Sequence, residues 1–144
     1  PRQLPTVRCD RVRIREVLVN LLSNALKYND RPVRRVEIGH LTPQEAAGRA
    51  GVPAGAAGHA VISVRDNGIG IDRRQLEHVF RMFKRLHGRD AYGGGSGAGL
   101  AIVRKLIERH GGVAWLESTP GEGSTFHFSL PDQAEEERQQ EELR

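Results

Sequence analysis

The chain has 144 residues, a formal net charge of +4 and one cysteine, Cys9, which suits one domain with one core and excludes an internal disulfide and any Cys-x-x-Cys metal site. Aromatic residues make up 5%, too few for a platform that stacks single-stranded nucleic acid. No run approaches the roughly 18 apolar residues of a spanning helix, and the opening PRQLPTVRCD has no apolar signal-peptide core, so a cytoplasmic protein with no membrane or nucleic-acid partner is expected.

Residues 10–28 read as a helix, with Ile14, Val17, Leu18, Leu21, Leu22 and Ala25 on one face and Asp10 as cap. Asn29 and Asp30 end it and Pro32 prevents its return. Val36 to His40 and Ala60 to Arg65 read as strands, and the Ala- and Gly-rich segment between them, HLTPQEAAGRAGVPAGAAG, as a long, mobile hairpin loop. Asp72 is read as the cap of a short helix through about Phe83, with Leu76, Val79, Phe80 and Phe83 inward. A glycine-rich loop, KRLHGRDAYGGGSGAG, leads into a helix from about Ala98 to His110, stopped by Gly111, with His110 as a cation at the helix end. Strands at Val113–Glu117 and Thr125–Leu130 close the order, joined by STPGEGS. The expected fold is a two-layer α/β sandwich, its mixed, mostly antiparallel sheet covered on one face by about three helices. Residues 1–131 would form the domain, and 132–144 an acidic tail without fixed structure. The tail carries a net −4 and leaves +8 on residues 1–131, which suits either a polyanionic ligand or simply a solvated basic surface.

Three patterns carry chemistry. Asn20, Asn24 and Lys27 form one stripe on the first helix, away from the leucines. It is either a solvated polar face or a row of amide oxygens and one ammonium facing a cavity, where an Asn oxygen suits Mg²⁺ and a lysine suits phosphate. In VRDNGIGID, Asp66 closes a strand, and Gly68 and Gly70 flank Ile69, either as a capped turn or as bare backbone for the close approach of a ligand. In GGGSGAGLAIVRKL, five glycines in seven residues open a helix, as a flexible linker or as a phosphate cradle without the Gly-Lys-Ser/Thr of a Walker A loop.

In this order the three resemble the GHKL ATP-binding superfamily, and specifically the catalytic domain of sensor histidine kinases, over about residues 4–131. NLLSNALKY resembles its N box, DNGIGI its G1 box, VFRMFKRL its F box and GSGAGLAI its G2 box, while GEGSTFHFSLP resembles its closing strand. FKRLHGRDAY with the glycine loop is similar to the bacteriophytochrome group of light-sensing kinases. The resemblance implies a Bergerat-type fold and the cofactors ATP and Mg²⁺. Asp66 would bind the adenine amino group, Gly68 and Gly70 would let the purine lie on the backbone, and Asn24 would hold Mg²⁺. Asn20 and Lys27 would face the phosphates, Tyr28 would flank the nucleotide, and Arg85 would reach the terminal phosphate. Gly95, Gly97, Gly99 and Leu100 would form the base of the lid, and Ser124, or Thr125, would support the adenine through water. Two departures, an additional Gly after Tyr92 and Ala98 in place of a larger aliphatic, imply a looser lid.

The resemblance also implies partners. One is a histidine-bearing dimerisation domain upstream in the same protein, since no His-Glu-x-x-x-Pro occurs here; another is a response regulator. A homodimeric full-length protein and a monomeric isolated domain are expected. The competing readings are a stand-alone GHKL ATPase and an anti-sigma-type serine kinase. Hydrolysing relatives carry a glutamate base where this chain has Asn20, which argues against the first.

Overall fold

The computed structural model describes residues 3, 4, 7, 9–72, 74, 96–131 and 140–144. Its first helix, α1 (Arg11–Lys27), starts where Asp10 accepts from the N–H groups of Val12 and Arg13 at 3.1 and 3.2 Å. It buries Val17, Leu21, Asn24 and Ala25. Strand β1 (Val36–Leu41) follows, then α2 (Pro43–Ala46), a 3-10 turn at Ala54–Ala56, and β2 (His59–Asp66). Helix α3 (Ser96–Arg109), β3 (Ala114–Thr119) and β4 (Gly123–Pro131) complete the order.

The sheet runs β1-β2-β4-β3, and all three pairings are antiparallel, so the parallel component of the expected mixed sheet has no counterpart among the described residues. Ile62 and Val64 of β2, Leu116 of β3, and Phe126, Phe128 and Leu130 of β4 meet Val17 and Leu21 of α1 and Leu100, Val103, Leu106 and Ile107 of α3 in one core. Side chains alternate along a strand, so Asp66 and Ser124 continue this helix-facing side beyond the last core residues. That alternation places a carboxylate at the end of a hydrophobic row.

Two expectations are corrected. The segment between β1 and β2 is not a plain hairpin loop. Thr42 and Glu45 form a reciprocal capping box on α2, and the helix and the 3-10 turn bury Ala46 and Ala56. They pack on β1, β2 and β4, and Val61 and Ser129, which point away from α1 and α3, are fully buried. His110 is not a helix-end cation. Its Nε2 accepts from the Asp10 N–H at 3.1 Å and its Nδ1 donates to the Leu106 carbonyl at 2.8 Å, which requires a neutral ring and ties the end of α3 to the start of α1. The helix read from Asp72 to Phe83 and the glycine loop up to Gly95 lie outside the described residues. So does most of the acidic tail, of which Gln140–Glu142 form one exposed helical turn.

Candidate functional site

The last turn of α1 and the end of β2 converge. Asp66 is buried, and its Oδ1 accepts from the Gly68 N–H at 2.9 Å and the Ser124 N–H at 3.3 Å. Burial pushes its carboxyl above its ordinary value, and the two N–H groups pull it part of the way back. With both donors on Oδ1, Oδ2 is left as an acceptor without a hydrogen bond from any described residue.

The glycines beside Asp66 are required by the protein's own packing. A Cβ at Gly68 would overlap the Tyr28 carbonyl oxygen, and one at Gly70, whose φ is +71°, would overlap the Thr119 carbonyl. This protein's own backbone therefore fills the space. The Tyr28 carbonyl in turn accepts from the Ile69 N–H at 3.1 Å, so the turn after β2 is seated directly on the end of α1.

On that helix Asn24 is buried, and its Nδ2 has no hydrogen-bond partner among the described residues. Such a group costs about 1–3 kcal/mol unless something else engages it. Half a turn of the carboxamide exchanges Nδ2 for Oδ1, an oxygen type that a hard cation takes as ligand. Asn20, one turn earlier, spends its Nδ2 on the Glu16 carbonyl at 3.0 Å. Lys27 is exposed, with its Nζ 5.6 Å from the centre of the Tyr28 ring, and Tyr28 is 40% exposed.

Ser124 lies next to Asp66. The Ser118 hydroxyl donates to the Gly123 carbonyl at 3.0 Å, and its oxygen accepts from the Ile71 N–H at 2.7 Å. It lies 2.7 Å from the Ser124 hydroxyl. Since the Ser118 proton is committed, Ser124 is the donor between the two, and its own oxygen keeps its lone pairs free. Gly97 and Gly99 sit in the first turn of α3, and Leu100 is buried in the core. Arg85 and Gly95 lie outside the described residues.

Sequence reasoning missed a clasp beneath the site. Asn29 is buried and donates to Asn67 Oδ1 at 2.7 Å, and Arg31 Nε donates to the Asn67 carbonyl at 3.1 Å. The available signal was the pairing of Asn-x-Arg after a helix with Asp-Asn-Gly after a strand, residue types that bind nearby backbone.

The fold thus belongs to the class of two-layer α/β domains with an open antiparallel sheet and a polar site where a helix end meets a strand end. The sequence matches the family described as histidine kinase-, DNA gyrase B-, and HSP90-like ATPase over residues 9–134, and the chain belongs to that ATP-binding family, with histidine kinases among its relatives. It is 50% identical over 129 residues to cyanobacterial phytochrome B of Nostoc sp., an alignment covering 90% of this chain and 16% of that protein. Among solved structures it resembles the mycobacterial sensor histidine kinase MprB, with a TM-score of 0.62 and 28% identity over 87% of this chain and 76% of that one. It also resembles full-length ShkA in complex with AMPPNP, with a TM-score of 0.60 and 27% identity over 89% of this chain and 23% of that one. The chain spans less than a fifth of the length of the first curated relatives it matches, between 13% and 16%. Among the described residues no helix is long and apolar enough to cross a membrane.

Proposed function

We propose that this chain is the catalytic ATP-binding part of a cytoplasmic sensor histidine kinase. It holds ATP with Mg²⁺ and presents the γ-phosphoryl group to a histidine on a separate dimerisation domain of the same protein. That histidine then serves a response regulator. The observation that carries this reading is Asp66, fixed at a strand end by two backbone donors on Oδ1 with Oδ2 left to accept from an adenine amino group.

Phosphoryl transfer asks little covalent chemistry of a protein and much positioning and charge neutralisation. Asp66 orients the base, and Ser124, with its lone pairs free, supports it through water. Tyr28 flanks the nucleotide. Asn24 is the residue that would hold Mg²⁺, and a bound Mg²⁺ would neutralise phosphate charge. Lys27 supplies further positive charge to the phosphates; by the family resemblance Arg85 would add to it, and Gly95, Gly97, Gly99 and Leu100 would form the base of the lid. Asn20 faces the phosphates but is a carboxamide, unable to take a proton from water, which favours transfer over hydrolysis. Similarity to cyanobacterial phytochromes supports a light-sensing full-length protein; that protein would be a homodimer and the isolated domain a monomer.

Calorimetric titration with ATP tests the binding step. Saturable binding that weakens at least several-fold on chelating Mg²⁺ is expected, and equal binding without Mg²⁺ would overturn the role of Asn24. Addition of a helical dimerisation domain with its histidine, from a phytochrome relative, should yield base-stable, acid-labile phosphoprotein from ATP labelled in the γ position. Absence of label on that histidine, with ATP bound, would overturn the kinase reading.

A further inference from the structure

Between Asp66 and the two ends it must serve lies a set of hydrogen bonds that none of the binding roles uses. Asn67 follows the carboxylate directly, and its side chain and N–H make four of them. Its Oδ1 accepts from Asn29 Nδ2 at 2.7 Å and from the Arg35 N–H at 2.8 Å. Its Nδ2 donates to the Val33 carbonyl at 3.0 Å, and its own N–H donates to the Arg35 carbonyl at 3.3 Å. The carboxamide is thus satisfied at both ends by the segment joining α1 to β1.

Arg31 extends the clasp. Its N–H is held by Asn29 Oδ1 at 3.0 Å, its Nε donates to the Asn67 carbonyl at 3.1 Å, and its Nη2 donates to the Gly121 carbonyl in the β3–β4 turn. Gly121 N–H returns a bond to the Ile69 carbonyl at 2.8 Å. One guanidinium therefore spans the turn after β2 and the turn before β4. The first of these turns carries the Gly68 N–H, and the second leads directly into β4, where the Ser124 N–H lies; these two N–H groups hold Asp66 Oδ1.

We infer that Asn67 and Arg31 are positioning residues for base recognition. They hold the Gly68 turn against the turn that leads into Ser124 and against the end of α1, so that Asp66 Oδ2 has one direction. The inference rests on the adenine reading of Asp66 given above. Loss of either residue should leave the cleft able to hold triphosphate while loosening the discrimination of one purine from another.

The test compares ATP with inosine triphosphate, which carries a carbonyl in place of the exocyclic amino group. Dissociation constants for both are measured on the unaltered chain and on Asn67→Ala and Arg31→Ala, with thermal unfolding as a control. The unaltered chain should prefer ATP by on the order of 10-fold or more, the value of one charge-assisted hydrogen bond. Both variants should lose most of that ratio while keeping measurable triphosphate binding. Arg31 is exposed, so its variant decides the matter if Asn67→Ala does not fold. A preserved ratio, with both nucleotides weakened equally, would mean a merely structural role and overturn the inference alone. Equal binding of ATP and inosine triphosphate by the unaltered chain would overturn the Asp66 reading and this inference with it.

Discussion

Asp66→Asn changes one atom in a site where geometry leaves the substitute no choice of orientation. The Gly68 and Ser124 N–H groups both point at Oδ1, 2.9 and 3.3 Å away. An amide must keep its oxygen there, because its nitrogen would face two donors. The amide nitrogen then falls in the place of Oδ2, and a donor meets the adenine amino group. A hydrogen bond to a charged acceptor contributes about 1.5–3 kcal/mol, so ATP affinity should fall on the order of 10–100-fold. Stability should move the other way or not at all. Burial raises the Asp66 carboxyl above its ordinary value, so folding favours its protonated form. Its contribution is greatest below the ordinary value of 3.8 and is lost as pH rises through the raised one, which leaves the ionised group a cost at neutral pH that the amide does not carry. Calorimetry on both forms, with thermal unfolding at neutral pH, reads both effects. Unchanged ATP affinity in a folded variant would refute the adenine assignment, and a large loss of stability would refute the account of how Oδ1 is held.

Three other outcomes follow from named contacts. Gly70→Ala, at φ +71° and with the Thr119 carbonyl in the place of a Cβ, should destabilise by about 1–3 kcal/mol in denaturant unfolding, and a variant as stable as the original would show that the turn yields freely. Burial lowers the His127 pKa and the neighbouring Glu117 only partly opposes it, so the folded state disfavours the imidazolium and stability should decline as pH falls below 6.5; His127→Gln should flatten that decline between pH 7.5 and pH 5, windows set about the same value, and an unaltered slope would place the titration elsewhere. The isolated chain should bind ATP yet release phosphate slowly, because general-base assistance is worth roughly 10²–10⁴-fold and Asn20 supplies none; phosphate release at ordinary ATPase rates would favour the hydrolase reading.

What the sequence revealed and what it hid differ in range. The Asn20, Asn24 and Lys27 stripe follows from helical periodicity, and Asp66 is visible as the last residue of an alternating strand, both within one element. The two glycines were legible as sites of close approach. What approaches, the carbonyls of Tyr28 and Thr119, belongs to segments dozens of residues away. Ala46 and Ala56 carry too little hydropathy to betray a buried segment, although Thr42-Pro43-Gln44-Glu45 has the spacing of a capping box and could have been read as one. The neutral His110 ring depends on an N–H 100 residues earlier in the chain, and the Asn29–Asn67 bond spans 38 residues. No local window contains either pair.

The candidate site is therefore two structures joined at one place. Asn24 and Lys27 ride on α1, whose rotation about its axis is fixed by Val17, Leu21 and Ala25 against the sheet. Asp66 and Ser124 belong to the sheet itself, Asp66 paired with Val36 of β1 and Ser124 with Ser118 of β3. Core packing alone would let the helix slide along its axis by a fraction of a turn at modest cost, since apolar contacts are non-directional. Hydrogen bonds are not. The Tyr28 carbonyl on the Ile69 N–H, with Asn29 on Asn67, fixes that sliding coordinate at the end nearest the site. Asp66 and Asn24 consequently keep one spacing through these bonds, so setting the end of α1 against the end of β2 is not a cost that nucleotide binding must meet.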